Sequence, residues 1–200
     1  GTLIKEKSSF AVDVSSQRAF ATPASNVVLP GGPSAGILNL KQPNNGWETS
    51  GLFDYALTRD QVFRAAYEQK NSTKENQGAG NYNLAERAYA TRAQDHEIRL
   101  QETGPIGRRA FHNTRLQIQW SDSASHAAIE ARTLRVSDAF TSGGAQVSGG
   151  RHTRDFELAS DVDYIHGRHS IRGGALFNGG RYRSDDSSNY LGTFFFTSLA

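Results

Sequence analysis

The densest group of side chains that could do chemistry is a set of four acids within the segment 152–165. The four are Asp155, Glu157, Asp161 and Asp163. Because successive side chains of a β-strand point to opposite faces, a strand here would present all four on one face. Arg172, on the following segment, falls on the face that would meet them. Such a cluster could line the path of a solute, or it could form a ladder of ion pairs with neighbouring strands. The ladder is the favoured interpretation.

No other group of residues has the spacing of a catalytic or metal site. Ser, His and Asp occur without the elbow or spacing of a hydrolase, and the chain has no Cys, which excludes a thiolate nucleophile in this stretch. His166 and His169 flank a short turn, but no third His or carboxylate trio lies near them in sequence. Asp185 and Asp186 could offer oxygen ligands to Ca²⁺, although a solvated loop is favoured. The sequence predicts no enzyme, no cofactor and no metal site.

Two glycine-rich stretches, 31–36 and 143–144, raise the question of a phosphate-binding loop. Both lack the Lys-Ser/Thr of such a loop, and neither leads from a strand into a helix. We therefore expect both stretches to be flexible loops.

The elements that would position these side chains are seven segments in which apolar and polar residues alternate. They lie at about 5–16, 47–57, 61–70, 94–102, 110–121, 152–165 and 168–183. Their connections alternate strictly between long and short, as in transmembrane β-barrels, where tight turns face the periplasm and long loops face outside. The predicted fold class is all-β: an antiparallel meander that forms part of a large transmembrane barrel.

The alternation also predicts strand register in two hairpins. A two-residue turn at His166-Gly167 would place apolar partners on one face and an ion pair on the other. The predicted pairs are Phe156 with Phe177, Leu158 with Ala175, Val162 with Ile171, and Asp161 with Arg172. In the hairpin at 47–70, a three-residue turn at 58–60 predicts Tyr55 with Phe63, Gly51 with Tyr67, Asp54 with Arg64, and Glu48 with Lys70.

Three residues fit the alternation poorly. His96 and Glu102 fall on the otherwise apolar face of their segment, and Phe111 has the wrong parity to join Leu116 and Ile118. For Phe111 we expect either a β-bulge or a place in the turn.

Alternation alone does not separate a membrane barrel from a soluble sheet, because a soluble sandwich also shows one apolar face per strand. Two observations favour a barrel. Charged residues are concentrated on the polar faces of the strands, and the long connections are rich in Gly, Ser, Asn and Gln and contain few apolar residues that could form a core. An extracellular β-sandwich is the main alternative.

The composition of the chain excludes further classes of protein. A formal net charge of +2 is too balanced to predict nucleic acid as a partner, and a mean hydropathy of −0.58 without a long apolar run excludes a transmembrane helix. The chain has no Met and no signal-peptide pattern. An exported barrel needs a signal, so we expect residues 1–200 to be an excerpt of a single barrel domain.

Several stretches resemble barrel strands of TonB-dependent outer-membrane receptors, in particular the Oar-like group. Arg168–Ala175 and Gly180–Leu199 are similar to "H-x-L-x-x-G" followed by "Y-L-G-x-[FY]-x-F-x-S-L". Gly1–Phe10 is similar to the "G-P-x-x-K-[DN]-K-x-x-F" that opens the early barrel of that group. Leu84–Ala90 and Ser137–Gly144 add to a resemblance that covers essentially the whole chain.

The resemblance implies a large barrel in the outer membrane of a Gram-negative bacterium. A plug domain would fill its lumen, and a short motif would engage the TonB complex so that a solute is imported. Neither plug nor motif is present in this stretch, so we expect as partners the remainder of the barrel, the plug, outer-membrane lipid and an unknown solute. The alternatives are an adhesive surface barrel and a sandwich module, both without transport.

Overall fold

The computed structural model describes residues 1–37 and 39–199, and within 33–37 it describes the backbone alone. Leu38, in the first long connection, and Ala200, which ends the chain after Phe194–Phe196, lie outside the described residues. The described chain forms twelve strands and one short 3₁₀ turn at Ala85–Arg87. The strands are β1 (Ser8–Ala21), β2 (Ala24–Leu29), β3 (Gly32–Ile37), β4 (Gln42–Ala56), β5 (Val62–Gln77), β6 (Tyr89–Ile106), β7 (Ala110–Ala127), β8 (Thr133–Val136), β9 (Phe140–Ser142), β10 (Gly149–His166), β11 (His169–Ser184) and β12 (Thr193–Phe196).

Seven long strands form one antiparallel sheet in the order β1-β4-β5-β6-β7-β10-β11. Each pairs with the next long strand along the chain, so the predicted all-β antiparallel meander is confirmed. The strands are 14 to 18 residues long, longer than predicted. The ladder continues into polar stretches such as 71–77 and 89–93, because backbone pairing does not require apolar side chains once the register is set.

The predicted register of the β4–β5 hairpin is confirmed at every pair. Asp54 lies opposite Arg64, and Glu48 lies opposite Lys70. The Leu57 N–H donates to the Gln61 carbonyl oxygen at 2.9 Å, which closes the turn around residues 58–60 as expected.

The predicted register of the β10–β11 hairpin is wrong by two residues. The turn is Gly167-Arg168, so that His166 pairs with His169, and Gly167 adopts the positive φ of 62° that such a turn needs. A shift of two residues keeps every side chain on its predicted face. The observed pairs are Phe156 with Gly179, Leu158 with Phe177, Val162 with Gly173, and Asp163, rather than Asp161, with Arg172.

Phe111 lies in neither a bulge nor a turn. The β6–β7 pairing runs unbroken from Tyr89–Ala127 to Ile106–Ala110, and Phe111 pairs with Pro105 inside it. It therefore sits on the charged face, near the short-turn end of the sheet. A register shift occurs elsewhere, between Lys74 and Gln77 in β5.

The three long connections fold together at one end of the sheet, which corrects the expectation of flexible loops with little to bury. β2 and β3 form a hairpin, and β12 pairs in parallel with β8, which pairs with β9. The small apolar side chains that bury here are mostly alanines, whose size allows backbones to approach closely. They are Val27, Ala79, Ala88, Val136, Ala139 and Ala145, each at most 7% exposed. We call this unit, residues 22–37, 39–41, 78–88, 128–148 and 185–199, the connection cluster.

The two glycine-rich stretches are ordered parts of that cluster. Gly32 begins β3, and Gly143 adopts a φ of 82°. A Cβ on Gly144 would lie 2.6 Å from the Ala131 backbone nitrogen. Glycine is therefore needed at 143–144 for close packing rather than for flexibility.

The seven-stranded sheet remains a single layer. Within the described residues no second sheet or helix lies over either face. Large apolar side chains stay open as a result: Val12 is 68% exposed, Ile171 63% and Phe177 65%. None of the described residues belongs to a helix long and apolar enough to cross a membrane.

Candidate functional site

One face of the sheet carries a continuous apolar belt across all seven strands. Two adjacent rows of side chains form it, and neither row contains a charge. The first row is Phe10, Phe53, Ala65, Leu100, Leu116, Leu158 and Phe177; the second is Val12, Gly51, Tyr67, Ile98, Ile118, Phe156 and Gly179. Aromatic side chains stand on both borders of the belt, with Trp47 and Trp120 toward the connection cluster and Tyr55 and Tyr164 toward the short turns.

The structure explains why His96 belongs on this face. Its ring stacks on Trp120 with the centroids 4.8 Å apart, and its Nδ1 lies 2.7 Å from the Tyr67 hydroxyl oxygen. The three residues form a row of rings across β5, β6 and β7 at the belt's border. The alternation pattern does not predict His96 on this face, because the pattern considers only whether a side chain is polar. An imidazole is polar but can also stack on a neighbouring aromatic ring.

Glu102, the other misfit on this face, has a partner on β7. Its Oε1 lies 3.6 Å from Nε2 of His112, which is 9% exposed. The His112 Nδ1 lies 2.9 Å from the Gly104 carbonyl oxygen. The carboxylate is thus held beside a polar ring, at the short-turn side of the belt.

The four acids predicted as solute-contacting or ion-paired all lie on the opposite, charged face. Asp161 accepts a hydrogen bond from Arg115 Nη2 at 3.3 Å, and Asp163 lies 3.4 Å from Arg172 Nε. Asp155 lies between Gln119 and Gly180, and Glu157 between Gln117 and Asn178. Within the described chain, then, the predicted ion-pair ladder forms at two of the four acids, and the other two acids meet uncharged partners.

A second charged group lies on the same face, over β4, β5 and β6. Glu68 and Glu97 are directly opposite each other, and Arg99 lies between them, 3.5 Å from Glu68 and 2.5 Å from Glu97. Lys70 forms ion pairs with Glu68 and, at 3.8 Å, with Glu48. The arginine and lysine allow like charges to face one another, which would otherwise destabilise the pairing of β5 with β6.

A large cavity lies within the connection cluster rather than on the sheet. Its volume is about 680 Å³, within the roughly 300–1,000 Å³ typical of small-molecule sites. The polar residues that line it come from three separate segments of the chain. They include Asn81, Asn83, Arg87, Thr133, Gln146 and Asn189.

A buried hydrogen-bond network supports the wall of this cavity. Gln146 is 1% exposed; its Nε2 donates to Thr133 Oγ1 at 2.9 Å and to the Gly192 carbonyl oxygen at 2.8 Å. Its Oε1 accepts from the Leu191 N–H at 2.6 Å. Thr133 Oγ1 in turn donates to the Gly144 carbonyl oxygen at 3.0 Å. These bonds tie the third connection to the segment after β11 and fix the shape of the cavity.

Arg87 is the charged group at the centre of this network. Its Nη1 donates to Thr133 Oγ1 at 2.7 Å and to the Gly144 carbonyl oxygen. Its Nε is buried and has no hydrogen-bond partner among the described residues. Partial burial lowers the pKa of the guanidinium, and no neighbouring carboxylate offsets this effect. The adjacent Glu86 instead accepts from the Gly143 N–H at 2.9 Å.

Glu130 joins two segments of the connection cluster at its surface. Its Oε1 accepts from the Ser148 hydroxyl at 2.6 Å, and its Oε2 accepts from the Tyr190 hydroxyl. These two hydrogen bonds hold the pKa of the Glu130 carboxyl below its ordinary value, and the bond to Glu130 raises the pKa of Tyr190.

Sequence reasoning identified the charged face but missed the cavity. No pattern in the sequence could have found it, because its lining residues are separated by as many as 112 positions, from Asn81 to Thr193. Among residues 1–37 and 39–199, no three His, Asp or Glu side chains come together as a metal site would need.

The chain was also compared with models of known protein families, with curated proteins and with solved structures. None of the three comparisons gives a match. Function must therefore be inferred from the geometry of this chain.

Proposed function

We propose that this chain is part of the outer-membrane β-barrel of a TonB-dependent receptor that imports a solute. The observation that carries the proposal is the single-layered sheet, with an unbroken uncharged belt on one face and a dense array of charges on the other. A sheet with two exposed faces of such different character suits a boundary between hydrocarbon and a wet interior.

The spacing of aromatic residues on the belt's face agrees with this assignment. In β10, Phe156 and Tyr164 lie eight residues apart, which at about 3.3 Å per residue and a tilt of about 40° corresponds to roughly 20 Å along the membrane normal. The expected apolar band of a barrel is roughly 25 Å tall and bordered by aromatic residues. The border positions of Trp47, Trp120 and Tyr55 fit that arrangement.

The position of the connections agrees as well. The turns after β4, β6 and β10 are short and lie at one end, whereas all three long connections fold together at the other. In a receptor barrel, the connection cluster would face outside and the short turns the periplasm.

A spin-label experiment tests the two faces directly. Residues 1–200 contain no Cys, so single cysteines at Leu158 and at the adjacent Glu157 can be labelled in the full-length protein in liposomes once any Cys outside these residues is replaced. We expect the label at 158 to be accessible to oxygen but not to a water-soluble nickel chelate, and the label at 157 to show the reverse. If both labels are accessible to the chelate, or if 158 is shielded from both reagents as in a sandwich core, the membrane assignment is wrong.

Transport needs a separate test, because an adhesive barrel would share the two faces. The cavity in the connection cluster would serve a barrel that binds a partner at the surface equally well. The proposal requires a plug domain and a TonB-contact motif elsewhere in the same polypeptide, and crosslinking of that motif to TonB in cells. A full-length protein without them would favour surface binding without import.

A further inference from the structure

We infer that the cavity of the connection cluster is a binding site for a sugar that bears a carboxylate, with Arg87 as the group that pairs with the carboxylate. The inference rests on the cavity itself and goes beyond the proposed function, since it holds whether or not the sheet spans a membrane.

The first argument concerns the charge of Arg87. A guanidinium carries five N–H donors, and in the described chain only Nη1 makes hydrogen bonds. Nη2 also has no partner there and, unlike Nε, is not buried, so Nη2 is the donor open to a charge-assisted hydrogen bond to a carboxylate, while the buried Nε stays unpaired. A partly buried cation without a counter-charge is unfavourable unless a bound anion supplies one.

The second argument concerns the other charges at the cavity. Arg135 and Asp138 also line it. Arg135 lies over the Phe195 ring, 6.0 Å from its centroid. The two arginines outnumber the single acid, so the cavity as a whole favours an anion.

The third argument concerns the remaining lining. Asn81, Asn83 and Asn189 offer amide groups, and Tyr82 also lines the cavity. Side-chain amides can both donate to and accept from hydroxyl groups. One cation surrounded by amides and an aromatic ring suits a molecule with many hydroxyls and one carboxylate, that is, a uronic acid or a short acidic saccharide.

The fourth argument is that the site is already formed. Arg87 Nη1 and Gln146 Nε2 converge on the same Thr133 hydroxyl oxygen, at 2.7 and 2.9 Å. A side chain fixed in this way loses little conformational freedom on binding, and pre-organisation of this kind raises affinity.

The test is a calorimetric titration of the full-length protein in detergent with glucuronate, glucose and acetate. We expect glucuronate to bind at least about tenfold more tightly than either glucose, which lacks the carboxylate, or acetate, which lacks the hydroxyls. Equal binding of glucuronate and acetate would show a general attraction for anions and would overturn the inference. Equal binding of glucuronate and glucose would do the same.

Variants then locate the site. R87Q should lower glucuronate affinity at least about tenfold, in line with the loss of a charge-assisted hydrogen bond. R132Q is the matched control, because it removes the same charge from the same cluster at a residue that stacks on Phe194 and does not line the cavity.

R87Q also removes hydrogen bonds to Thr133 and Gly144, so a second variant, Y82D, tests the location of the site without changing Arg87. Tyr82 is 47% exposed, and a carboxylate there should repel the ligand. Undiminished binding in Y82D would place the ligand elsewhere.

These outcomes are separate from those of the spin-label experiment. The protein can show no glucuronate binding while the labels at 157 and 158 have the expected accessibility. Equally, the labels can contradict the assignment of faces while the cavity binds glucuronate. Each proposal is therefore overturned by its own measurement.

Discussion

Asp54 and Arg64 lie directly opposite each other on β4 and β5, and the Arg64 Nε donates a 2.7 Å hydrogen bond to Asp54 Oδ1. A second bond, from Arg64 Nη2 to Asp54 Oδ2 at 3.2 Å, makes the pair bidentate. It is the cross-strand pair that sequence alternation predicts, three residues from the turn, and it lies on the charged face of the sheet.

The first prediction concerns the contribution of this ion pair to the free energy of unfolding. The Arg64 side chain is 53% exposed, and exposed ion pairs are typically worth about 0.2–1 kcal/mol. A double-mutant cycle of D54A and R64A, measured from the free energy of unfolding, should give a coupling in that range, smaller at high salt. Coupling well above that range would mean that water reaches this face far less than its exposure indicates.

The second prediction concerns the apolar belt. Leu158 lies midway along β10, between Leu116 and Phe177 on the two neighbouring strands. If the belt contacts hydrocarbon, L158R should cost about 2–4 kcal/mol of unfolding free energy in liposomes. The control is N178R on the charged face, an exposed position opposite Glu157, where Arg gains a partner and should be nearly neutral. Equal costs at the two positions would contradict the assignment of faces.

The choice of control shows what the structure adds to the pattern. Alternation alone makes Ala159 and Gly174 suitable positions on the charged face. Ala159 is only 4% exposed, and a Cβ on Gly174 would lie 2.9 Å from the Ser160 carbonyl oxygen. Arg at either position would be disfavoured for steric reasons that have nothing to do with lipid.

The strands, their order and their faces could be predicted because each depends on a period of two residues in the local sequence. The register of β4 with β5 could also be predicted from the sequence, because the turn at 58–60 has one plausible position. In β10–β11 the stretch His166–His169 offers two positions for a two-residue turn, and both give the same faces. Only the conformation of Gly167 distinguishes them, and alternation carries no information about it.

The connection cluster could not be predicted, for a different physical reason. Its interior consists mostly of alanines, with two valines and a buried Gln146, and these residues lie in separate segments where they form no apolar period that would mark a core. Its sheets join segments as far apart as β8 and β12. The candidate ligand site depends on that long-range packing, so Arg87 looked like an ordinary charged residue in a loop.

The third prediction concerns the glycines of this cluster. A Cβ on Gly144 would contact the Ile129 carbonyl oxygen and the Ala131 backbone nitrogen, so G144A should cost about 1–3 kcal/mol, as overpacking does. G51A is the control, because a Cβ on Gly51 has nothing within 4 Å, and it should be neutral or slightly stabilising. Thermal unfolding of the two variants checks this. A neutral G144A would restore the interpretation of 143–144 as a flexible loop.

The last prediction concerns pH and follows from Glu130. Hydrogen bonds from Ser148 and Tyr190 lower the pKa of this carboxyl in the folded protein, so the folded state binds a proton less readily than the unfolded state does. The stability that these bonds contribute is therefore present above the unfolded value of about 4.3 and is lost as the pH falls through the lowered folded value. Hydrogen exchange in residues 185–192, corrected for its intrinsic pH dependence, should rise as the pH is lowered below about 4.

Three variants make this last test specific. E130Q should open the segment at neutral pH and remove the pH dependence, whereas Y190F should retain a weaker dependence through Ser148. D60N, in the turn at the opposite end of the sheet, should leave exchange in 185–192 unchanged, because Asp60 makes no contact with the connection cluster. A pH dependence that survives E130Q would assign the opening to another carboxylate, with Asp185 and Asp186 the nearest in sequence. The contact between Glu130 and Tyr190 would then have no part in holding the cluster closed.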